Sequence, residues 1–434
     1  MANLNPNSTN YFHSYEPNTN DLTMAMDYDR TGRPIIRVTD AVTDYTSKNR
    51  TKISPFETVF FNTFQYGKET DVWDEATTTG GSATFDPNVS GVVLAVDGTL
   101  GAEVIRQTKN VMRYIPGRSA ELSFGIRLEP PVTGIRRRFG LFDENNGAFF
   151  EDGGDGNYYC CIRNKNGPSG PTLNRVPREQ WNGDKLDGLG ISGIVADPAA
   201  QQLVDIEYEW YGAGAVIFKF VIDGHAHVIH TFYHANRINT VWCATPFLPI
   251  RVEITNVAGT PGVHKIYQGS NSLISEGEVG KLGIAQNFTT TITGKSLGSP
   301  NTFRPVLSIR LKPGSLTGVA LPTFFQAISL SNASVFYKLV LNAELTDASF
   351  TDMPDPNSFT QYDQSATAYT GGRDLDSGYV SPDSQGTKII LDRDTRFQIG
   401  RSSMGTVSDI LTLVMASPTN NATAVGSMTW IEQR

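Results

Sequence analysis

Between Leu203 and Phe232 the chain reads LVDIEYEWYGAGAVIFKFVIDGHAHVIHTF. Apolar and polar residues alternate along three runs. Two glycine-bearing turns, Gly212–Gly214 and Asp223-Gly224, separate them. A period of two sends successive side chains to opposite faces, so each run is a strand with one face available for a core. Asn-Gly, Gly-Gly and Asp-Gly turns supply the positive φ that tight hairpins need. The same pattern recurs at Thr58–Phe64, Gly91–Val96, Ala120–Leu128, Arg137–Asp143, Gly147–Glu151, Asn157–Arg163 and Pro246–Val257. It resumes beyond Phe288 in RPVLSIRL, SVFYKLVLNAEL, KIILD, FQIG, ILTLVMAS and GSMTWIE. Helix candidates are few, Asp197–Gln202 being one short turn. An all-β fold is the expectation.

A chain of 434 residues has room for more than one core. Residues 1–55 are polar and Asn-rich, with one strand at Gly32–Val38, and read as an extended N-terminal arm. Residues 56–285 form the main β domain. Residues 286–434 form a second, smaller β-sandwich, with a long loop at 351–387. The formal net charge of −8 weighs against nucleic acid as a partner. The N-terminus lacks a basic start and an apolar run, so no signal peptide is expected. Apolar runs such as GVVLAV are too short to span a bilayer, so no membrane insertion is expected. Cys160, Cys161 and Cys243 form no Cys-x-x-Cys pair, which leaves no basis for a zinc site or a disulfide framework.

Three features invite a functional reading. His225, His227, His230 and His234 cluster in one stretch, but strand alternation divides them between two faces, which does not suit a zinc site. Asp205, Glu207 and Glu209 share one strand face, a spacing like the Glu-x-Asp-x-Glu triad of laminarinase-type glycosidases, though in a different acidic order. If Tyr211 pairs with Ala215, Glu207 lies opposite Lys219 as an ordinary cross-strand charge pair, and the acids form a wetted face. We therefore expect no catalytic residues and no enzyme. The loop DENNGAFFEDGGDGN offers Asp143, Glu151, Asp152 and Asp155 as calcium ligands, with plain hairpin turns as the alternative. Calcium is the one cofactor considered. Arg136, Arg137 and Arg138 diverge along a strand and suggest interface salt bridges. Trp181, in the polar loop REQWNGDKLDGLGISG, and Tyr211 are the aromatic candidates for binding a glycan or a protein partner, a loop Trp tucked into the sandwich being the plainer reading of Trp181.

Taken together, FGLFDENNGAFFE, WNGDKLDGLGISG, EYEWYGAGAVIFKFVIDG, HTFYHAN, TPFLPIRVEI and SLISEGE resemble a family of virion structural proteins of tailed bacteriophages, cyanophages included. The resemblance runs from about Gly32 to Gly280. It implies a concanavalin- or laminin-G-like jelly-roll β-sandwich for the main domain, with no catalytic residues carried over. It also implies a protein made in the host bacterial cytoplasm and built into the virion, as a tail, baseplate, neck or capsid-surface subunit. The expected partners are further copies of the chain, as a homotrimer, and other virion proteins. The alternatives are a fibre or spike adhesin that recognises host surface polysaccharide and, third, a glycan-depolymerising enzyme.

Overall fold

The computed structural model describes residues 11–12, 22–28, 34–40, 52, 55–197, 199–277, 282–381, 387–390, 398–402 and 404–433. Alternation in the sequence becomes sheet throughout, and the chain is an all-β protein. Its only helical elements among the described residues are two three-residue 3₁₀ turns. No helix among them is long and apolar enough to cross a membrane.

The first sandwich packs two sheets face to face. A seven-stranded sheet runs Thr172–Pro177, Tyr158–Asn164, Gly147–Asp152, Ile135–Phe142, Ile250–Asn256, Glu103–Thr108, Trp73–Thr77 in spatial order. The facing sheet runs His225–Phe232, Val216–Ile222, Gln202–Tyr208, Ala120–Arg127, His264–Glu276, Gly91–Val96, Gly81–Asp86. Phe56–Asn62 adds to the second half of His264–Glu276, completing eight strands. Every second side chain points inward, so Phe124, Val204, Ile206 and Phe218 meet Phe139 and Val252 in one dry core. Gly147 opens its strand with φ +134°, and a Cβ there would lie 2.3 Å from Leu141 O and Phe142 Cα. Only glycine allows that tight approach.

The second sandwich joins a five-stranded sheet, centred on Thr423–Gln433 and Val319–Ser329, to a six-stranded one centred on Arg304–Leu311, Ile410–Ala416 and Val335–Leu341. Its own core gathers Leu307, Ile309, Phe325, Leu339, Leu413 and Trp430. The 351–387 stretch is not the structureless loop expected. It carries Thr351–Asp352, Thr360–Asp363, Ala368–Thr370 and Arg373–Val380, and Thr387–Ile390 begins at its end. Most of these strands are short, and Arg373–Val380 is an edge strand where polar residues such as Asp374 and Asp376 replace the apolar alternation that marks a central strand. Of the segment expected as an arm, Tyr11–Phe12, Leu22–Tyr28 and Pro34–Asp40 pair as a three-stranded antiparallel sheet. Apart from residues 52 and 55, the remainder of that expectation lies outside the described residues.

The two sandwiches share a contact. Phe247 and Val111 of the first pack with Val319, Leu321 and Ile431 of the second. Beside this apolar patch Arg401 reaches Asp143 at 3.1 Å and Glu144 at 2.6 Å, and Gln398 Nε2 donates to Val111 O at 3.2 Å.

Candidate functional site

Strand Gln202–Tyr208 turns Val204, Ile206 and Tyr208 into the core and Asp205 and Glu207 to the opposite face, with Glu209 following in phase. That outer face is not wet. Asp205 is 5% exposed, and Glu207 and Glu209 have no exposed surface. The neighbouring strands supply the cause. Lys219 Nζ contacts Glu207 at 2.5 Å and Glu121 at 3.0 Å. Lys52, ahead of the first sandwich strand, inserts its ammonium between the same carboxylates, 3.0 Å from Glu121 and 3.2 Å from Glu207. Ser119 Oγ donates to the other Glu207 oxygen at 2.7 Å. The expected contact between Glu207 and Lys219 is present, but through a different register. Asp205 is the residue across from Lys219, and Glu207 is across from Ile217. The hairpin closes at Tyr208 and Val216 rather than at Tyr211 and Ala215, because the turn is longer than the glycines suggested.

Two ammonium groups facing two glutamates form a buried network, in which removing one partner strands the others. Burial opposes the charged form of Glu121, but the ammoniums of Lys219 and Lys52 outweigh it and hold the carboxyl below its ordinary range. Burial likewise works against charged Lys219, and Glu121 and Glu207 reverse it, keeping the ammonium protonated. Asp205 lies beside the network without its own cation. Burial pushes its carboxyl up to about 6, against the opposing hydrogen bond from Ser123. Its Oδ1 accepts no hydrogen bond. The face thus holds a carboxyl that exchanges its proton near neutrality next to a hub glutamate locked by cations. Lys52 was not legible as part of this cluster. It comes from the polar stretch TDYTSKNRTK, where nothing in the sequence distinguishes it.

The histidines do not divide as plain alternation requires, because His225, His227 and His230 pair with Ile222, Phe220 and Phe218, all on one face. His225 is exposed and His227 partly so, while His230 and His234 are 6% and 7% exposed. A bulge between Phe218 and Lys219 skips Ile229 in the pairing, which sends Ile229 to the core and tucks His230 edge-on against Phe232 at 4.5 Å. Burial pulls the His230 imidazole down to about 4. It also lowers His234, against the Gly214 carbonyl that accepts from Nδ1 at 2.7 Å, and the ring stacks on Trp242 at 5.6 Å. These two histidines are packing elements of an aromatic run.

The calcium candidates are not brought together. Asp143 stands at the turn of the Ile135–Phe142/Gly147–Asp152 hairpin and Asp152 at its far end, five residue steps or about 16 Å away. Each already has partners. Asp143 Oδ1 accepts the Asn145 and Asn146 amides, and its other oxygen meets Arg401. Asp152 pairs with Arg137 at 2.6 Å. Glu151 bridges Arg138 and Arg175. Asp155 accepts from Tyr159 Oη at 2.7 Å. Among the described residues, no group of three or more metal-ligating side chains converges. These pairs also correct the reading of the arginine run. Arg137 and Arg138 serve salt bridges inside the chain rather than at an interface, because neighbouring strands place a carboxylate across from each.

Trp181 is likewise no exposed anchor. It is 7% exposed, its Nε1 donates to Val176 O at 3.1 Å, and it lines a small apolar cavity of about 50 Å³ with Phe150, Leu186 and Phe220. Tyr211 is 49% exposed, with φ +35°. It lies beyond the other end of strand Gln202–Tyr208, about 20 Å away along the strand, so the two aromatics do not form one site. What the loop after Trp181 exposes is aliphatic. Leu189, Ile191 and Val195 are 90%, 106% and 70% exposed. The loop is nevertheless braced. Asp184 accepts the Leu186 and Ser192 amides at 2.9 and 2.8 Å, Asp187 accepts Leu189 N at 3.0 Å, and Gly188 N donates to Ile194 O at 2.9 Å. The stretch reads in sequence as a polar loop, which hid this crest.

No family model and no curated protein matches the chain. Among solved structures, it is similar to a glycosyl hydrolase family protein from Mycobacterium fortuitum, at 9% identity over 50% of this chain and 99% of that one, with a TM-score of 0.35. A putative β-glucanase from Mycobacterium abscessus matches at 12% identity over 50% of this chain and all (100%) of that one, TM-score 0.34. A legume lectin-like domain from Entamoeba histolytica matches at 14% over 52% and 99%, TM-score 0.31. At these identities the likeness is one of fold. It corrects the expectation that the chain is no enzyme. Several of the matched structures are named as glycosyl hydrolases or β-glucanases, so the exclusion drawn from a wetted acidic face does not stand.

Proposed function

We propose that this chain is a structural subunit of a bacteriophage virion, acting by symmetric assembly with further copies of itself. The observation that carries the reading is the braced crest of Leu189, Ile191 and Val195. A flexible loop would fold such residues back. Here side-chain caps and backbone bonds hold three aliphatic groups out in water. Each recovers about 1.5–3 kcal/mol when a partner covers it. Beside the same loop, Thr172–Pro177 ends the seven-stranded sheet as an exposed edge strand, the kind of edge that neighbouring chains cover in an assembly. The particle itself is inferred from the resemblance of the six sequence segments to virion proteins.

The test is the mass of the purified chain by light scattering across a micromolar concentration series. A trimer is expected, and Leu189→Asp with Ile191→Asp is expected to shift it to a monomer with unchanged circular dichroism. A wild-type chain that stays monomeric throughout sinks the assembly reading. Peptide mass spectrometry of purified phage particles tests the location separately, and particles lacking the chain sink that part.

A further inference from the structure

A cleft of about 950 Å³ lies between the two sandwiches. Clefts of this size between domains are where ligands most often bind. One wall is formed by Phe60 and Phe61 with Lys109 and Arg113, and the other by Arg373 and Asp409. The carboxylates along it already have donors within the chain. Glu69 accepts from Asn62 and from Phe64 N. Asp74 accepts Glu75 N at 3.2 Å. Asp409 accepts Asn342 Nδ2 at 2.8 Å and Gly400 N at 3.3 Å. Asp71 faces Arg373 across the cleft at 3.9 Å.

Of the cations, Arg113 feels the charge of Glu57 and Lys109 that of Asp409, but neither makes a salt bridge among the described residues. Arg113 is 4% exposed, and its Nη1 has no hydrogen-bond partner. A buried guanidinium donor left unmatched is costly, and such exceptions call for an explanation. Lys109, exposed on the same wall, makes no side-chain hydrogen bond among the described residues. Phe61 is 61% exposed on a strand that is otherwise anchored in the sheet.

We propose that this cleft binds an acidic saccharide, with its anionic group on Arg113 and Lys109 and a sugar ring laid against Phe61. Guanidinium and ammonium groups recognise a carboxylate, sulfate or phosphate through charge-assisted hydrogen bonds. A flat aromatic face takes the C–H side of a pyranose. This binding is independent of the assembly role.

The experiment is calorimetric titration of the intact chain with a heparin-derived hexasaccharide, a galacturonate hexamer, cellohexaose and sodium sulfate. At least one acidic hexamer is expected to bind, more weakly as salt rises, and cellohexaose is not. Lys109→Ala, Phe61→Ala and Arg113→Met are each expected to weaken binding about tenfold. If Arg113→Met fails to fold, the two exposed variants still decide the matter. The proposal is overturned if neither acidic hexamer binds at millimolar concentration. It is also overturned if sulfate alone binds as tightly as the hexamers, or if binding survives all the folded variants.

Discussion

At Asp205, burial lifts the carboxyl to about 6, so between roughly pH 4 and 6 the folded chain keeps a proton that the unfolded chain has released. Stability contributed at this site is therefore present in acid and lost as pH rises through that window. His230 has the opposite sign. Its imidazole titrates at about 4 when folded and near 6.5 when unfolded, so stability is lost as pH falls from 6.5 to 4. Each slope is worth about 2 kcal/mol after allowance for neighbouring charges. The two nearly cancel in the native chain. Urea midpoints from pH 4.5 to 7 test this. Asp205→Asn is expected to gain stability over wild type as pH rises, and His230→Gln to gain it as pH falls. Variant curves parallel to wild type would refute the assignment. The residue types were legible in VDIEYEWYG and HAHVIHTFYH, but their environments were not. Alternation reports the face a side chain points to only while the register holds, which the bulge at Ile229 breaks, and it is silent on what covers that face.

Strand Gln202–Tyr208 shows how far period alone reaches. Its core face, Val204, Ile206 and Tyr208, could be read directly, and so could the shared face of the acids. The register with Val216–Ile222 could not, since it depends on a turn whose length the glycines at 212 and 214 leave open. Long flexible ends forgave the error. Lys219 reaches Glu207 from across Asp205. Because Glu207 has no exposed surface, Lys219→Met is expected to cost about 3 kcal/mol in urea unfolding. Adding Glu207→Gln to that variant is expected to restore part of the loss, as the buried charge left behind is removed. A double variant no more stable than Lys219→Met would count against the network. Trp181 is tucked under, as the plainer reading of a loop Trp had it, and the crest beside it was missed for a related reason. A loop's composition marks turns well, but which of its side chains folds under and which stands out is decided by the strands beneath.

The joint between the sandwiches was invisible in the sequence. Arg401 and Asp143 are separated by more than half the chain, and no periodic pattern links them. Phe247, Val319 and Leu321 read simply as strand residues. This patch couples two separately cored units, so the wild type is expected to unfold calorimetrically in one transition. Leu321→Asp combined with Arg401→Ala is expected to resolve two. A single transition in that double variant would show that the coupling lies elsewhere. Lys52 bears on how the molecule is taken apart. It is buried against the outer face of the second sheet while preceding Phe56, where the first strand of that sandwich begins. A fragment designed to start at Phe56 leaves Glu121 and Glu207 sharing one ammonium. The excisable unit, for expression or for grafting onto another protein, starts upstream of residue 52.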